Sequence, residues 1–158
     1  VSQVPGVEQA ARVQPAEGSG TSQPVVVLRA SLSALLRFPT LREECFGPST
    51  IVVECDEELD LLKGADAVPG SLVGAIFAAH TDRAGALAQI LAGKVGRLVF
   101  NGVTTGVEVS AAMVHGGPWP ATNQQQSTAV GAMAVERWCR PVCWQNAPPE
   151  LFPEELRG

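Results

Sequence analysis

The chain has 158 residues, of which 46% are hydrophobic, and a formal net charge of −5, values that fit one globular domain with a sizeable core. The negative charge and the lack of a basic stretch argue against a nucleic-acid partner, because phosphate binding needs clustered Lys and Arg. No apolar run reaches the roughly 18 residues that cross a bilayer, and residues 1–30 lack the pattern of a signal peptide. We therefore expect a cytoplasmic protein with no membrane partner.

The two ends of the chain differ in composition from its middle. Residues 1–24 are rich in Gly, Ser, Gln and Pro, and we expect a flexible segment there. Within it, 7–13 is predicted to form a short helix and 16–23 a flexible loop. Residues 147–158 combine prolines with acidic residues and are predicted to be a tail that needs a partner surface to be ordered. The folded domain is therefore expected at 25–146.

A distinctive sequence, Arg-Glu-Glu-Cys-Phe-Gly-Pro, spans residues 42–48 between two strand patterns. Its Gly-Pro pair enforces a turn. Neighbouring residues of an extended segment point to opposite sides, so Glu44 and Phe46 are predicted to share one side, away from Glu43. A carboxylate beside an aromatic ring could bind a sugar diol while the ring covers a flat heterocycle. The alternative from residue types alone is a solvated acidic turn whose Phe plugs the core.

The middle of the chain alternates apolar runs with helical patterns. Strands are predicted at 25–28, 50–54, 71–79 and 97–101. Helices are predicted at 31–37, 57–63 and 83–92, with Ser31, Asp56 and Asp82 as the residues that cap or open them. Strands that alternate with helices of this length indicate an α/β fold, with a mostly parallel sheet and flanking helices.

After the last predicted strand, a long segment at 102–127 is expected to be a functional loop, helical in its middle at 107–114. It is followed by a predicted amphipathic helix at 131–139, whose apolar stripe is expected to serve the core or an oligomer contact.

The sequence His-Gly-Gly-Pro-Trp-Pro-Ala-Thr at 115–122 is the second informative stretch. Its two glycines remove side chains where another backbone or a substrate must come close. Pro118 and Pro120 stiffen the segment and present Trp119 as a fixed aromatic, unless Trp119 plugs a hole. His115 has the intrinsic pKa of a general base, but such a residue is more often a satisfied loop residue, and we assign it no catalytic role.

The four cysteines, at positions 45, 55, 139 and 143, match no disulfide framework, so we expect reduced thiols. Pro141 interrupts any helix between the last two, and both histidines lie far away in sequence. We therefore expect no metal site.

The hexapeptide Glu43-Glu44-Cys45-Phe46-Gly47-Pro48 resembles the Glu-Glu-aliphatic-Phe-Gly-Pro signature of NAD(P)-dependent aldehyde dehydrogenases. In that family the second Glu binds the hydroxyls of the nicotinamide ribose, and the Phe packs near the nicotinamide. The resemblance implies these cofactor-binding roles for Glu44 and Phe46, with NAD or NADP as cofactor. Cys45 departs from the usual Ile or Val.

Later motifs are similar to one branch of that family, the α-ketoglutaric semialdehyde (2,5-dioxovalerate) dehydrogenases. The likeness runs from about residue 38 to 153 and includes Asn101-Gly, Thr105-Gly-Val-Glu108, Ala112-Met-Val-His-Gly-Gly-Pro118, Pro120-Ala-Thr122, Ser127-Thr-Ala-Val-Gly131 and Arg140-Pro-Val-Cys143. The family's loops at these places line the aldehyde entrance. The resemblance therefore implies that Gly106, Val107, Pro118 and Trp119 line the substrate tunnel.

Several parts of the family's machinery have no counterpart in these 158 residues. The nucleophile's Gly-Gln-x-Cys context, the base's Glu-Leu-Gly-Gly and a Gly-rich phosphate loop after a strand do not occur. The resemblance thus implies a partial catalytic domain, with no catalytic residue of its own and inactive by itself. The implied partners are a small aldehyde, the missing N-terminal part of the enzyme and further copies of the chain.

Two other functions stay open from the sequence. The chain could be a standalone oligomerisation or binding module derived from such an enzyme, because a sheet without its usual neighbours exposes apolar surface. The least favoured alternative is an independent enzyme that uses His115 and a thiol.

Overall fold

The computed structural model describes residues 3–14 and 22–157, so the predicted loop at 16–23 falls almost wholly outside the described residues. Five strands are present: β1 Val7–Val13, β2 Val25–Ser31, β3 Ser49–Glu54, β4 Ser71–Ile76 and β5 Val95–Phe100. Three α-helices are present: α1 Leu32–Arg37, α2 Glu58–Ala67 and α3 Gly85–Ala92. Short 3-10 segments occupy Pro39–Leu41, Thr81–Ala84, Ala132–Trp138, Pro149–Leu151 and Glu154–Leu156.

The strands form two sheets rather than one. The first has the order β1-β2-β3, with β1 antiparallel and β3 parallel to β2. The second pairs β4 with β5 in parallel. The predicted α/β class with mostly parallel strands and flanking helices is therefore confirmed. The division into two sheets was not predicted, because hydrophobic patterns identify strands but not which strands pair.

The prediction of a short helix at 7–13 is wrong, because this segment is strand β1. Its sequence is rich in helix formers, but helix propensity is a weak prior that tertiary pairing overrides. The edge of β2 supplies that pairing from Val7 to Val13, with one irregularity between Gln9 and Ala11, and the side chains of Glu8 and Arg29 lie 3.5 Å apart. The proposed division at 1–24, 25–146 and 147–158 stays a prediction, although β1 lies inside the first segment.

The core of the first sheet is a small cluster under helix α1. Ala30, Ala34, Leu35 and Leu41 are buried, and Phe38, Ile51 and Val53 pack against them. Helix α1 begins where predicted, because the Oγ of Ser31 accepts a hydrogen bond of 3.2 Å from the Ala34 N–H.

Helix α2 joins the two halves of the chain, since it contacts α1 on one side and α3 on the other. Gly64 allows the first approach: a Cβ there would lie 3.3 Å from Cδ1 of Leu32. The predicted cap Asp56 is not the helix cap, because Glu57 precedes the first turn and makes no side-chain cap bond. Helix α3 begins at Gly85, later than predicted, after the 3-10 segment Thr81–Ala84.

Two further helix predictions are wrong. No helix forms within the predicted 107–114, all of which the structure describes. The predicted amphipathic helix at 131–139 is the 3-10 segment Ala132–Trp138, in which Val135 and Trp138 are 61% and 83% exposed. An apolar stripe without a surface to pack on gives little tertiary stabilisation to an α-helix.

None of the helices in the described ranges combines the length and the apolar character that crossing a bilayer requires.

Candidate functional site

The hexapeptide forms an exposed connection between α1 and β3 that is anchored at both ends. Before it, Leu41 is buried in the core. After it, the carbonyl of Pro48 accepts a hydrogen bond of 3.0 Å from Val26, and the Ser49 N–H donates 2.8 Å to the carbonyl of Gly47. The intervening residues have no regular secondary structure and are exposed. The fold therefore holds the ends of the motif on the sheet and leaves its middle open.

Side chains alternate along this connection as an extended segment requires. Glu43 and Cys45 line a concavity of about 470 Å³, which β1 and β2 also line through residues such as Arg12 and Leu28. Glu44 and Phe46 do not line it, and Phe46 is 96% exposed. The alternative in which the Phe plugs the core is therefore wrong.

Glu44 and Phe46 both have side chains that are open to solvent. Within the described part of the chain, the exposed Glu44 carboxylate has no hydrogen-bond or ion-pair partner, so its oxygens can accept bonds from a ribose diol. Both faces of the Phe46 ring are open for a flat heterocycle. Their role stays a prediction.

The second sheet carries the other predicted residues, and Asn101 ties the carboxyl ends of its two strands together. The Oδ1 atom of Asn101 accepts 2.8 Å from the Ala78 N–H, and its Nδ2 donates 3.1 Å to the Ala78 carbonyl. Its main-chain N–H donates 2.8 Å to Ile76. Its φ of 48° lies in the left-handed region, which Asn tolerates better than most residues.

The loop after Asn101 turns back along β5 and is held there by Arg97. The guanidinium donates a 2.8 Å hydrogen bond to the carbonyl of Gly106 and a second one to the carbonyl of Thr104. Gly106 has a φ of +83° and is exposed, whereas Val107 is half-buried. No motif marks Arg97, because a basic residue within a strand carries no signal of its loop partners.

The two glycines of the second motif let its backbone cross the amino ends of β4 and β5. A Cβ on Gly117 would lie 2.6 Å from the carbonyl oxygen of Ser71. A Cβ on Gly96 would collide with the Gly116 carbonyl, and one on Gly70 with that of Trp119. The expected close approach is therefore confirmed, and the approaching group is another backbone.

Pro118 and Trp119 lie where this crossing segment leaves the sheet. Pro118 is half-buried against Gly70, whereas the Trp119 side chain is 70% exposed. Trp119 thus plugs no hole in the described structure, and its ring is open for contact. Its role in a substrate tunnel stays a prediction.

His115 is held by its main chain and not by a catalytic partner. Its N–H donates 2.7 Å to Oγ1 of the buried Thr128, and its carbonyl accepts 3.0 Å from Ala129. The concavity beside it, about 210 Å³, contains Arg137 but no cysteine. This geometry gives no support to an enzyme that uses His115 and a thiol.

The four cysteines are free, and only Cys55 is partly shielded from solvent. Desolvation raises the pKa of the Cys55 thiol, and the negative charges of Asp60 and Asp56 raise it further. A raised pKa makes a thiol a poorer nucleophile at neutral pH. Among the residues that the structure describes, no group of three or more His, Cys, Asp or Glu is placed to hold a metal ion.

The predicted site residues therefore fall into two groups. Glu44 and Phe46 lie between α1 and β3 of the first sheet, whereas Gly106, Val107, Pro118 and Trp119 belong to segments that follow the second sheet and contact it. Within the described ranges, no hydrogen bond joins the two groups directly.

Known proteins resemble this chain in sequence and in fold. The profile of the "Aldehyde dehydrogenase family" matches residues 14–135. The chain is 48% identical over 121 residues to an α-ketoglutaric semialdehyde dehydrogenase of Acinetobacter baylyi, a match that covers 75% of this chain and 23% of that protein. It is 43% identical over 126 residues to α-ketoglutaric semialdehyde dehydrogenase 2 of Azospirillum brasilense, covering 78% and 24% respectively.

A solved structure shows the same fold. The chain superposes on a point mutant of Staphylococcus aureus betaine aldehyde dehydrogenase in complex with NAD+, with a TM-score of 0.63, 21% identity, and coverage of 87% of this chain and 27% of that one. The chain spans about a quarter of the length of the curated relatives it matches. By the profile match and the identity to these relatives, the chain belongs to the aldehyde dehydrogenase family.

Proposed function

We propose that this chain supplies the nicotinamide-side cofactor contacts and one wall of the aldehyde path in an NAD(P)-dependent enzyme that oxidises a semialdehyde to the acid. α-Ketoglutarate semialdehyde is the proposed substrate, because both curated relatives carry that activity in their names. The observation that supports the cofactor role best is the placement of Glu44 and Phe46 outside the concavity lined by Glu43 and Cys45.

In this proposal Glu44 accepts hydrogen bonds from the two hydroxyls of the nicotinamide ribose. A hydrogen bond to a charged group contributes about 1.5–3 kcal/mol, and two of them fix the orientation of the sugar. Phe46 packs beside the nicotinamide and excludes water from one side of it. A bound dinucleotide would supply the hydride acceptor for the oxidation, which also needs a nucleophile that adds to the aldehyde carbon and that this chain is not proposed to provide. Glu44 and Phe46 thus orient the nicotinamide for hydride transfer, and residues outside this chain carry out the chemical step.

The aldehyde path is proposed to run beside the second sheet. Gly106 and Val107 form one part of its wall, and Pro118 and Trp119 form another. Gly106 leaves room because it has no side chain, and nothing lies within 4 Å of the position its Cβ would take. The exposed Trp119 ring offers a flat apolar surface to the carbon chain of a substrate.

We further propose that the chain has no aldehyde dehydrogenase activity by itself. Among the described residues, no hydrogen bond joins a side-chain base to the thiols of Cys45, Cys139 or Cys143, and the Sγ of Cys139 contacts only the carbonyl of Val135. The Cys55 pKa is raised rather than lowered. Catalysis then needs the remaining part of a longer enzyme, and further copies of the chain are expected in the assembly.

The test is a chimera in which residues 14–135 replace the matching segment of the Acinetobacter baylyi relative. We expect NAD(P)-dependent oxidation of α-ketoglutarate semialdehyde by the chimera and no turnover by the purified chain alone. A folded chimera that binds no dinucleotide would contradict the proposal. Turnover by the chain alone, abolished in His115→Ala, would instead favour an independent enzyme.

A second function, that of an oligomerisation or binding module, is favoured by the exposed aromatic side chains. Phe46 is 96% exposed, Trp138 83% and Trp119 70%. Large apolar groups left in solvent promote association. We expect dimers or larger species of the purified chain in light scattering at micromolar concentration. A monomer that binds no dye for apolar surfaces would count against this function.

A further inference from the structure

We propose that Arg97 is a positioning residue for the aldehyde path: its guanidinium fixes the loop at 102–107, and so the places of Gly106 and Val107. This inference rests on the proposed function, because it concerns the wall of the same path. Arg97 itself is not proposed to touch the substrate.

The contacts of Arg97 support a positioning role. Its Nη1 donates 2.8 Å to the carbonyl oxygen of Gly106, and its Nη2 donates to the carbonyl oxygen of Thr104. The loop has no regular structure at these residues, so its carbonyl groups have no ladder partners of their own. The planar guanidinium, with its fixed fork of donors, is suited to hold two carbonyls at once.

An ion pair does not account for Arg97. No carboxylate of the described residues lies within the 4.0 Å ion-pairing distance of its guanidinium. Arg29 offers a contrast on the first sheet, since it pairs with both Glu8 and Glu54. The charge of Arg97 therefore acts on main-chain carbonyls, where a charged donor binds more strongly than a neutral one.

The loop has few other attachments. Asn101 anchors its start through Ala78. Beyond that point the side chain of Val103 is 74% exposed. Gly106 takes a left-handed φ of +83°, a turn that glycine adopts without strain but does not enforce. The two hydrogen bonds from Arg97 therefore hold the exposed turn at Gly106, next to the half-buried Val107.

The first test uses the full chain and amide hydrogen exchange. In Arg97→Ala we expect the amides of residues 103–107 to exchange at least about tenfold faster, while those of strand β3 stay unchanged. Arg29→Ala is the matched control, because it removes the same charge from an exposed strand position. Unchanged exchange at 103–107 in folded Arg97→Ala would overturn the proposal.

The second test uses the chimera. Arg97→Ala is expected to raise the KM for the aldehyde about tenfold while the KM for the dinucleotide stays within about twofold, because only the aldehyde wall moves. Added guanidinium ion at millimolar concentration should lower the raised aldehyde KM of Arg97→Ala part of the way. The aldehyde KM of Arg97→Lys should lie between those of the parent chimera and Arg97→Ala. Arg29→Ala should leave both KM values unchanged.

The two tests separate this proposal from the one on which it rests. If the parent chimera is inactive, the proposed function fails, and the exchange measurement alone decides whether Arg97 holds the loop. In an active chimera, an equal increase in the KM for aldehyde and for dinucleotide would overturn the positioning role. A lack of rescue by guanidinium would overturn it as well.

Discussion

The carbonyl group of Gly116 occupies the space into which a side chain on Gly96 would project. The Gly116 carbonyl and the Cα that would carry a side chain at Gly96 both belong to the main chain. Neither can rotate out of the way as the end of a flexible side chain does. The segment that ends in Trp119 can therefore pack this closely on the amino end of β5 because Gly96 has no Cβ.

Gly96→Ala is expected to destabilise the chain by at least about 2 kcal/mol, the upper part of the range of about 1–3 kcal/mol for overpacking. Its free energy of unfolding is measured in urea. Gly85→Ala is the control, because no atom lies within 4 Å of its Cβ position and the residue is helical. That variant should be neutral or gain about 0.5–1 kcal/mol. Equal stability of the two variants would contradict the close contact.

Glu44→Gln in the chimera is expected to slow hydride transfer at least about tenfold, because a hydrogen bond to a charged group is worth about 1.5–3 kcal/mol and 1.4 kcal/mol is a factor of ten. The affinity for the dinucleotide should change less. Stopped-flow single turnover with cofactor fluorescence measures both quantities. Glu43→Gln makes the same change on the neighbouring residue, which lines the concavity instead, and should leave the rate unchanged. A single-turnover rate of Glu44→Gln equal to that of the parent chimera would contradict the role proposed for Glu44.

Thr128→Val is expected to cost about 1–3 kcal/mol of stability, since the substitution keeps the shape but leaves a buried donor and acceptor without partners. The Thr128 Oγ1 atom accepts from His115 and donates 2.9 Å to the Val130 carbonyl. Thr40→Val is the control on an exposed residue and should stay within about 0.5 kcal/mol. Thermal and urea unfolding measure the free energy of unfolding of each variant. Similar values for Thr128→Val and Thr40→Val would show that the hydrogen bonds of Thr128 do not stabilise the fold.

Cys55 is expected to be the slowest of the four cysteines to react with iodoacetamide at pH 8. Its pKa is raised, first by desolvation and then by Asp60 and Asp56, so the folded protein keeps the thiol protonated at a pH where an exposed thiol has begun to ionise. Asp60→Asn removes one of these charges and should lower the Cys55 pKa and speed its alkylation. Mass spectrometry of digested samples gives the rate at each site. Reaction of Cys55 as fast as Cys45 would contradict the shift.

Local patterns in the sequence predicted the parts of the fold that depend on local chemistry. Ser31 caps α1 because a hydroxyl accepts from an N–H in the next turn. Gly116 and Gly117 predicted a close approach because glycine is what such an approach requires. The alternation of an extended segment predicted one side for Glu44 and Phe46, and the structure leaves both out of the concavity that Glu43 and Cys45 line.

Long-range contacts account for what the sequence did not predict. Val7–Val13 has helix-forming residues and becomes a strand because the edge of β2 is next to it. Arg97 and Thr128 bind main-chain groups, the carbonyls of Thr104 and Gly106 and the N–H of His115 respectively, outside their own secondary-structure elements, and no local motif marks either residue. The pairing of strands into two sheets is likewise a property of the folded chain.

The separation of the two sheets has a consequence for distances in a complete enzyme. In the described part of the chain no main-chain hydrogen bond links one sheet to the other, and α1, α2 and α3 lie in that order between them. Packed helices can slide by small steps without breaking a ladder of hydrogen bonds. If the ribose is held from one sheet and the aldehyde from the other, the gap across which the hydride travels is set by the fit of those three helices. A methyl group added at Gly64 would then alter reactivity without touching either ligand.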